Sequence, residues 1–210
     1  MYRITREGQL PEVEPRIILI ERGEKGWPIL DESELEQRLD AIRNSASLED
    51  LREEQDVAAY RQFYWRLGID PTKRRPSAEA LVRRLIAGKP FPRINPIVDR
   101  YNLISAENRV SLGAFSADHL ACKELVLRMA KQDEPFLGIG FSEAKPCSGQ
   151  ELVLSVEGEI IALYPYRDSH NSRIRGNDSA VLFVLCVVPG VEESRIDRAA
   201  NSLVSEFLGL

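Results

Sequence analysis

Near Ser105 the apolar residues of this chain change period, and no other feature restricts the fold so strongly. Upstream they recur at the spacing of one helical face; downstream they gather into short runs of strand length. The upstream part predicts helices over 31–43, 47–67 and 77–87, with Ser47 and Ser77 as caps and Gly68 and Gly88 as stops. The downstream part predicts strands over 110–115, 125–129, 151–156, 159–164 and 180–188. Glu157-Gly158 reads as a tight hairpin turn, and 138–140 and 146–149 read as loops. Ile17-Ile18-Leu19-Ile20 predicts one early strand over 16–22, residues 1–15 read as irregular, and 192–208 reads as an amphipathic helix. Helices mostly first and strands mostly later argue an α+β fold with a mixed or antiparallel sheet. The length of 210 residues suits one domain over 1–210, with residues 1–46 as an N-terminal strand/helix extension.

The helix with the clearest start lies at the change of period. Asn95 can accept a bond from a free N–H of the first turn, and Pro96 fits the first helical position, where no N–H is needed. Asp99 and Asn102 are three apart and share one face. On a helix carrying Ile97, Val98, Tyr101 and Ile104, such a polar pair is either bonded inside the fold or presented to a ligand.

Composition excludes several classes. A hydrophobic fraction of 43% and a charged fraction of 29% are those of an ordinary soluble protein. The apolar run 181–188 is too short to cross a membrane, and the polar N-terminus, with Arg3, Arg6 and Glu7, lacks a signal stretch. The expectation is a cytoplasmic protein. Cys122, Cys147 and Cys186 form no CxxC pattern and the two histidines are His119 and His170, so no metal site and no cofactor is expected. The net charge of −5 hides an asymmetry: residues 61–100 hold 10 Lys/Arg against 3 Asp/Glu, and residues 1–60 hold 8 against 15. Lys73, Arg74, Arg75, Arg83 and Arg84 lead the basic stretch. They form either a phosphate-binding face or an ordinary solvated one.

Several motifs together resemble a known family. Asn95-Pro96-Ile97-Val98-Asp99-Arg100-Tyr101-Asn102, then Leu112-Gly113-Ala114-Phe115, then Leu127-Arg128-Met129-Ala130 resemble the B3/B4 editing domain of the phenylalanyl-tRNA synthetase β subunit. Gly68-Ile69-Asp70-Pro71-Thr72-Lys73 and Ser77-Ala78-Glu79-Ala80-Leu81 are similar to its free-standing relatives, and the resemblance spans roughly residues 50–188. It implies a B3/B4-like fold and, as partner, tRNA or aminoacyl-tRNA, from which the synthetase domain hydrolyses a wrongly attached amino acid. It implies a pocket formed by the Asn95 helix, the strand ending at Phe115 and the loop 166–171. The substrate-binding residues would then be Asn95, Asp99, Asn102, Gly113, Ala114 and Ser169. His170, oriented by Asp168, would act as base, and Lys73, Arg74, Arg75, Arg83 and Arg84 would meet tRNA phosphates. The match departs from the synthetase at two places: its editing histidine falls at Gly113, and a substrate-holding glutamate falls near His170. A non-catalytic tRNA or amino-acid binding module is therefore the alternative to an editing hydrolase.

Other chemistries fit less well. Asp168, Ser169 and His170 offer the residue types of a serine triad, but sequence neighbours do not supply its geometry. Gly138-Ile139-Gly140 lacks the rest of a dinucleotide fingerprint. His119 reads as a surface residue of a turn. The chain has no room for an ATP-using aminoacylation domain beside this fold, so it is not expected to be a complete tRNA ligase.

Overall fold

Asn95 opens its helix as its chemistry requires. In the computed structural model, which describes residues 1–120 and 122–209, its side-chain oxygen accepts from the N–H groups of Ile97 at 3.1 Å and Val98 at 3.0 Å, and Pro96 is the first helical residue. The described residues form two compact units. One joins Met1–Glu21 to Gly113–Cys186; the other joins Arg22–Leu112 to the chain from Val187 onwards.

The second unit is helical: α1 (Glu32–Arg43), α2 (Asp50–Glu53), α3 (Gln55–Arg66), α4 (Ser77–Ile86), α5 (Pro96–Asn108) and α6 (Glu193–Leu208). Asp31 caps α1 by accepting from Ser33 and Glu34. Leu35, Leu39, Leu51, Val57, Val82, Leu85 and Leu103 close one core among these helices. Two expectations are corrected here. The single helix over 47–67 is broken at Glu54, whose ψ is 130°. Leu51 and Val57 both belong to the core, yet six residues place them about 120° apart around one continuous helix. The break re-aims the chain, and the Glu54 carboxylate then binds Arg109 Nε at 3.1 Å. Ser77 is the first residue of α4 rather than its cap; Pro76 holds the cap position, with no side-chain bond to the helix.

The first unit is built of strands: β1 (Arg3–Arg6), β2 (Arg16–Glu21), β3 (Leu112–Ser116), β4 (Glu124–Met129), β5 (Gln132–Phe136), β6 (Lys145–Ser148), β7 (Leu152–Val156), β8 (Glu159–Leu163), β9 (Arg167–Asp168) and β10 (Ala180–Leu185). They make a five-stranded sheet ordered β1-β4-β7-β8-β9, a three-stranded sheet ordered β2-β10-β3, and the pair β5-β6. β1 runs parallel to β4, and the other pairs of the larger sheet are antiparallel, so the fold is α+β with mixed and antiparallel pairing. Between β7 and β8, Glu157 and Gly158 both have positive φ, 47° and 86°, as a tight hairpin turn requires.

Residues 1–15 are not wholly irregular: Arg3–Arg6 pairs residue by residue with Glu124–Leu127. The segment 146–149 is not simply a loop, because Lys145–Ser148 pairs with Gln132–Phe136 across a register shift. Both pieces are short and polar, one carries Pro146, and neither shows the alternation that marks a strand in sequence.

Candidate functional site

In the strand unit, β3 brings Gly113 and Ala114 against Asp168 of β9. The Ala114 N–H donates to Asp168 Oδ2 at 3.3 Å, and Asp168 Oδ1 lies 3.2 Å from where a Cβ on Gly113 would stand. The carboxylate therefore occupies space that glycine leaves open. Asp168 keeps part of its surface in solvent, but burial of its carboxyl group pushes its pKa up to about 7, against the opposing pull of the Ala114 N–H and the Arg167 charge. Few carboxyl groups titrate near neutrality, and those that do are candidates for proton transfer. Cys186 belongs to the same cluster. Burial, and then the Asp168 charge, push its thiol well above the ordinary range, while the Gly113 N–H opposes them, so it is no thiolate nucleophile.

The loop beyond β9 is pinned by its backbone. The Asp168 carbonyl accepts from Ile139 N–H at 2.9 Å, Ser169 N–H donates to Ile161, and His170 N–H donates to Leu137 at 2.8 Å. The His170 carbonyl accepts from Arg173 Nη1 at 2.7 Å. Ser169 is buried, and its Oγ accepts from the Asn171 N–H. Arg167 reaches across the same loop: its Nη1 donates to the Ile139 carbonyl, and its guanidinium lies over the Phe141 and Tyr166 rings. Among the described residues no hydrogen bond joins the Asp168 carboxylate to the His170 ring. The structure thus brings Gly113, Ala114 and Asp168 together and leaves the His170 side chain outside that hydrogen-bonded group.

In the helical unit, Asp99 and Asn102 take different roles. Asp99 is buried and both its oxygens are engaged, Oδ1 by the Ile94 N–H at 2.7 Å and Oδ2 by Arg93 Nε at 2.9 Å. It ties the approach to α5, as Asn95 caps its first turn. Asn102, one turn further on, lines a cleft of about 680 Å³ with Arg75, Arg83, Arg84 and Lys89, over an apolar floor that includes Leu48 and Leu81. Arg83 is paired with Glu79 at 2.7 Å, and Arg84 Nε donates to the Pro90 carbonyl at 2.6 Å. Arg75 and Lys89 have no ion pair among the described residues. Lys73 and Arg74 stay exposed in the preceding loop and do not line the cleft, and Lys73 sits 3.9 Å from Asp70.

Sequence reasoning missed Lys89, the fourth cation, although it lies within the basic stretch 61–100. It also missed Cys186 as a neighbour of Asp168; an apolar strand gives no sign of what its one thiol faces. Among the described residues no group of three or more His, Cys, Asp or Glu is arranged to hold a metal ion. No described helix is long and apolar enough to cross a membrane.

A helical unit with a cationic cleft, and a strand unit with a carboxyl group set against a Gly-Ala step, define the class as an α+β domain. Its family is shown by comparison with known families: the chain belongs to the B3/4 domain family, whose profile matches residues 59–206. Among solved structures it is similar to an N-terminal fragment of the phenylalanyl-tRNA synthetase β subunit from Pyrococcus horikoshii. The likeness is 15% in sequence identity with a TM-score of 0.42, covering 52% of this chain and 40% of that one. No curated protein matches the chain.

Proposed function

We propose that this protein binds tRNA and hydrolyses the ester that joins a wrongly attached amino acid to it. The observation that carries the reading is the cleft in which Arg75, Arg83, Arg84 and Lys89 surround Asn102. Four cations on one concave surface of a chain with net charge −5 suit a phosphate backbone, which a globally acidic protein otherwise repels. Membership of the B3/4 family, and the motif resemblance to the synthetase editing domain, support tRNA as the nucleic acid.

For the ester, Asp168 is the group best suited to move a proton. A base with a pKa near 7 is half available at neutral pH and still basic enough to help. Asp168 takes a proton from water as the water oxygen bonds to the ester carbonyl carbon. Collapse of the tetrahedral intermediate breaks the bond to the ribose oxygen, which receives that proton. The products are a free amino acid and uncharged tRNA. His170, in the loop beyond β9, is the alternative base.

A deacylation screen over a panel of mischarged tRNAs, with filter binding in parallel, tests both parts. Wild type is expected to deacylate at least one member. Asp168→Asn should lose roughly 10²–10⁴-fold in rate with tRNA binding unchanged, whereas His170→Ala should lose little. Replacing Arg75, Arg84 and Lys89 by Ala should weaken binding and reduce the salt slope by about 0.7–0.9 for each phosphate contact removed. Binding without deacylation by wild type would leave a binding module alone. A triple variant that binds like wild type at every salt concentration would remove the cleft from the interface.

A further inference from the structure

The strand unit contains a second cavity that neither the Asp168 cluster nor the basic cleft uses. It measures about 130 Å³ and is lined by His119, Glu159, Asn171 and Ser172, with apolar walls from Leu120, Val156 and Ile161. That is room for about four waters at ~30 Å³ each, or a head group of four or five heavy atoms.

Its polar groups are arranged for a ligand that donates. Ser172 is 4% exposed, and among the described residues its Oγ has no hydrogen-bond partner, which is uncommon for a buried hydroxyl unless something binds there. Ser116, fully buried, donates from Oγ to Asp178 Oδ1 at 2.7 Å, and the same oxygen lies 2.7 Å from His119 Nδ1. A hydroxyl has one proton. With it committed to Asp178, the His119 contact requires Nδ1 to be the donor, which in the neutral ring leaves Nε2 as an acceptor. Asn171 Nδ2 donates to Glu159 Oε1 at 2.9 Å, which fixes the carboxylate at the cavity edge and leaves the Asn171 carbonyl oxygen as a further acceptor. The cavity therefore combines one negative charge, two neutral acceptors and a hydroxyl able to serve either way, with no cation among its lining residues.

We propose that this cavity binds a primary ammonium group, carried either by a small free amine or by an amino acid whose carboxyl end is masked as an amide or ester. Glu159 neutralises the charge, while Ser172 and His119 Nε2 accept from its N–H groups. A free amino acid is disfavoured, because its own carboxylate would face Glu159 across a few ångströms. The inference is independent of the tRNA reading, and either can fail alone.

The test is an NMR titration on the full chain. His119 and His170 are the two histidines, so the ring signals are assignable with His170→Ala. Ethanolamine and glycinamide are the probes, with 1-propanol as the uncharged counterpart and acetate as the anionic one. Saturable shifts of the His119 ring with either probe, and none with 1-propanol or acetate, are expected. Ethanolamine alone would assign a free amino alcohol; glycinamide binding with no effect of glycine would assign a masked amino acid. Ser172→Ala and Glu159→Gln should each weaken the probe by roughly ten- to a hundredfold, as for a lost hydrogen bond to a charged group. Both variants are expected to fold, since Ser172 Oγ bonds to none of the described residues and Gln is isosteric with Glu. An unshifted His119 ring, equal affinity in both variants, or equal binding of acetate would overturn the proposal.

Discussion

The titration of Asp168 links the fold to the proposed chemistry, and Asp168→Asn isolates it. Burial raises this carboxyl group from 3.8 to about 7. The folded protein then holds the proton more tightly than the unfolded chain does. Asp168 therefore favours folding below the ordinary carboxylate range, and that contribution is lost as pH rises through about 7. At about 1.4 kcal/mol per pH unit over a gap of about three units, the loss is on the order of 4 kcal/mol. Asn keeps the shape and can still accept from the Ala114 N–H, but it does not titrate, so the variant should lack this pH dependence. The direct assay is the pH titration of the Asp168 carboxyl ¹³C resonance, assigned by its absence in the variant; a midpoint near 7 is expected. Urea midpoints from pH 4 to 8 give the energetic counterpart, with the variant gaining on wild type as pH rises. A carboxyl midpoint near 4, together with a constant difference between the two proteins, would refute the argument that the Gly113–Ala114 step desolvates this carboxylate.

Two further substitutions probe the local framework. Asn95→Ala removes the acceptor for two first-turn N–H groups and should lower stability by about 1 kcal/mol, while Asn95→Asp should retain most of it. Denaturant midpoints decide this, and an unchanged midpoint for the alanine variant would mean that water caps the helix equally well. Gly113→Ala places a Cβ 3.2 Å from Asp168 Oδ1, so the carboxylate must give way by a few tenths of an ångström, while Phe115 Cζ at 3.4 Å stays in ordinary contact. A loss of about 1–3 kcal/mol is expected from such overpacking, and no loss would mean that the carboxylate rests loosely against β3.

Much of the architecture was legible in the chain because the rules that set it act over a few residues. Asn95-Pro96 announces a helix start, Glu157-Gly158 a hairpin, and the switch of apolar period the order of helices and strands. The basic stretch 61–100 likewise announced a cationic surface, and the motif order pointed to the B3/4 family. What local rules do not carry is the partner of each element. Arg3–Arg6 becomes a strand only because Glu124–Leu127, more than a hundred residues later, offers it a parallel edge. The helix over 47–67 breaks at Glu54 because Leu51 and Val57 must reach one core. The site divides in the same way. Asp99 and Asn102 look equivalent on a helical wheel, yet one is consumed by Arg93 and Ile94 while the other lines the cleft. Asp168 stands beside His170 in the sequence, but its carboxylate bonds to Ala114, 54 residues away. A residue's type and its near neighbours determine which bonds it is able to make; burial and the groups opposite decide which of them it makes, and at what pH it carries charge.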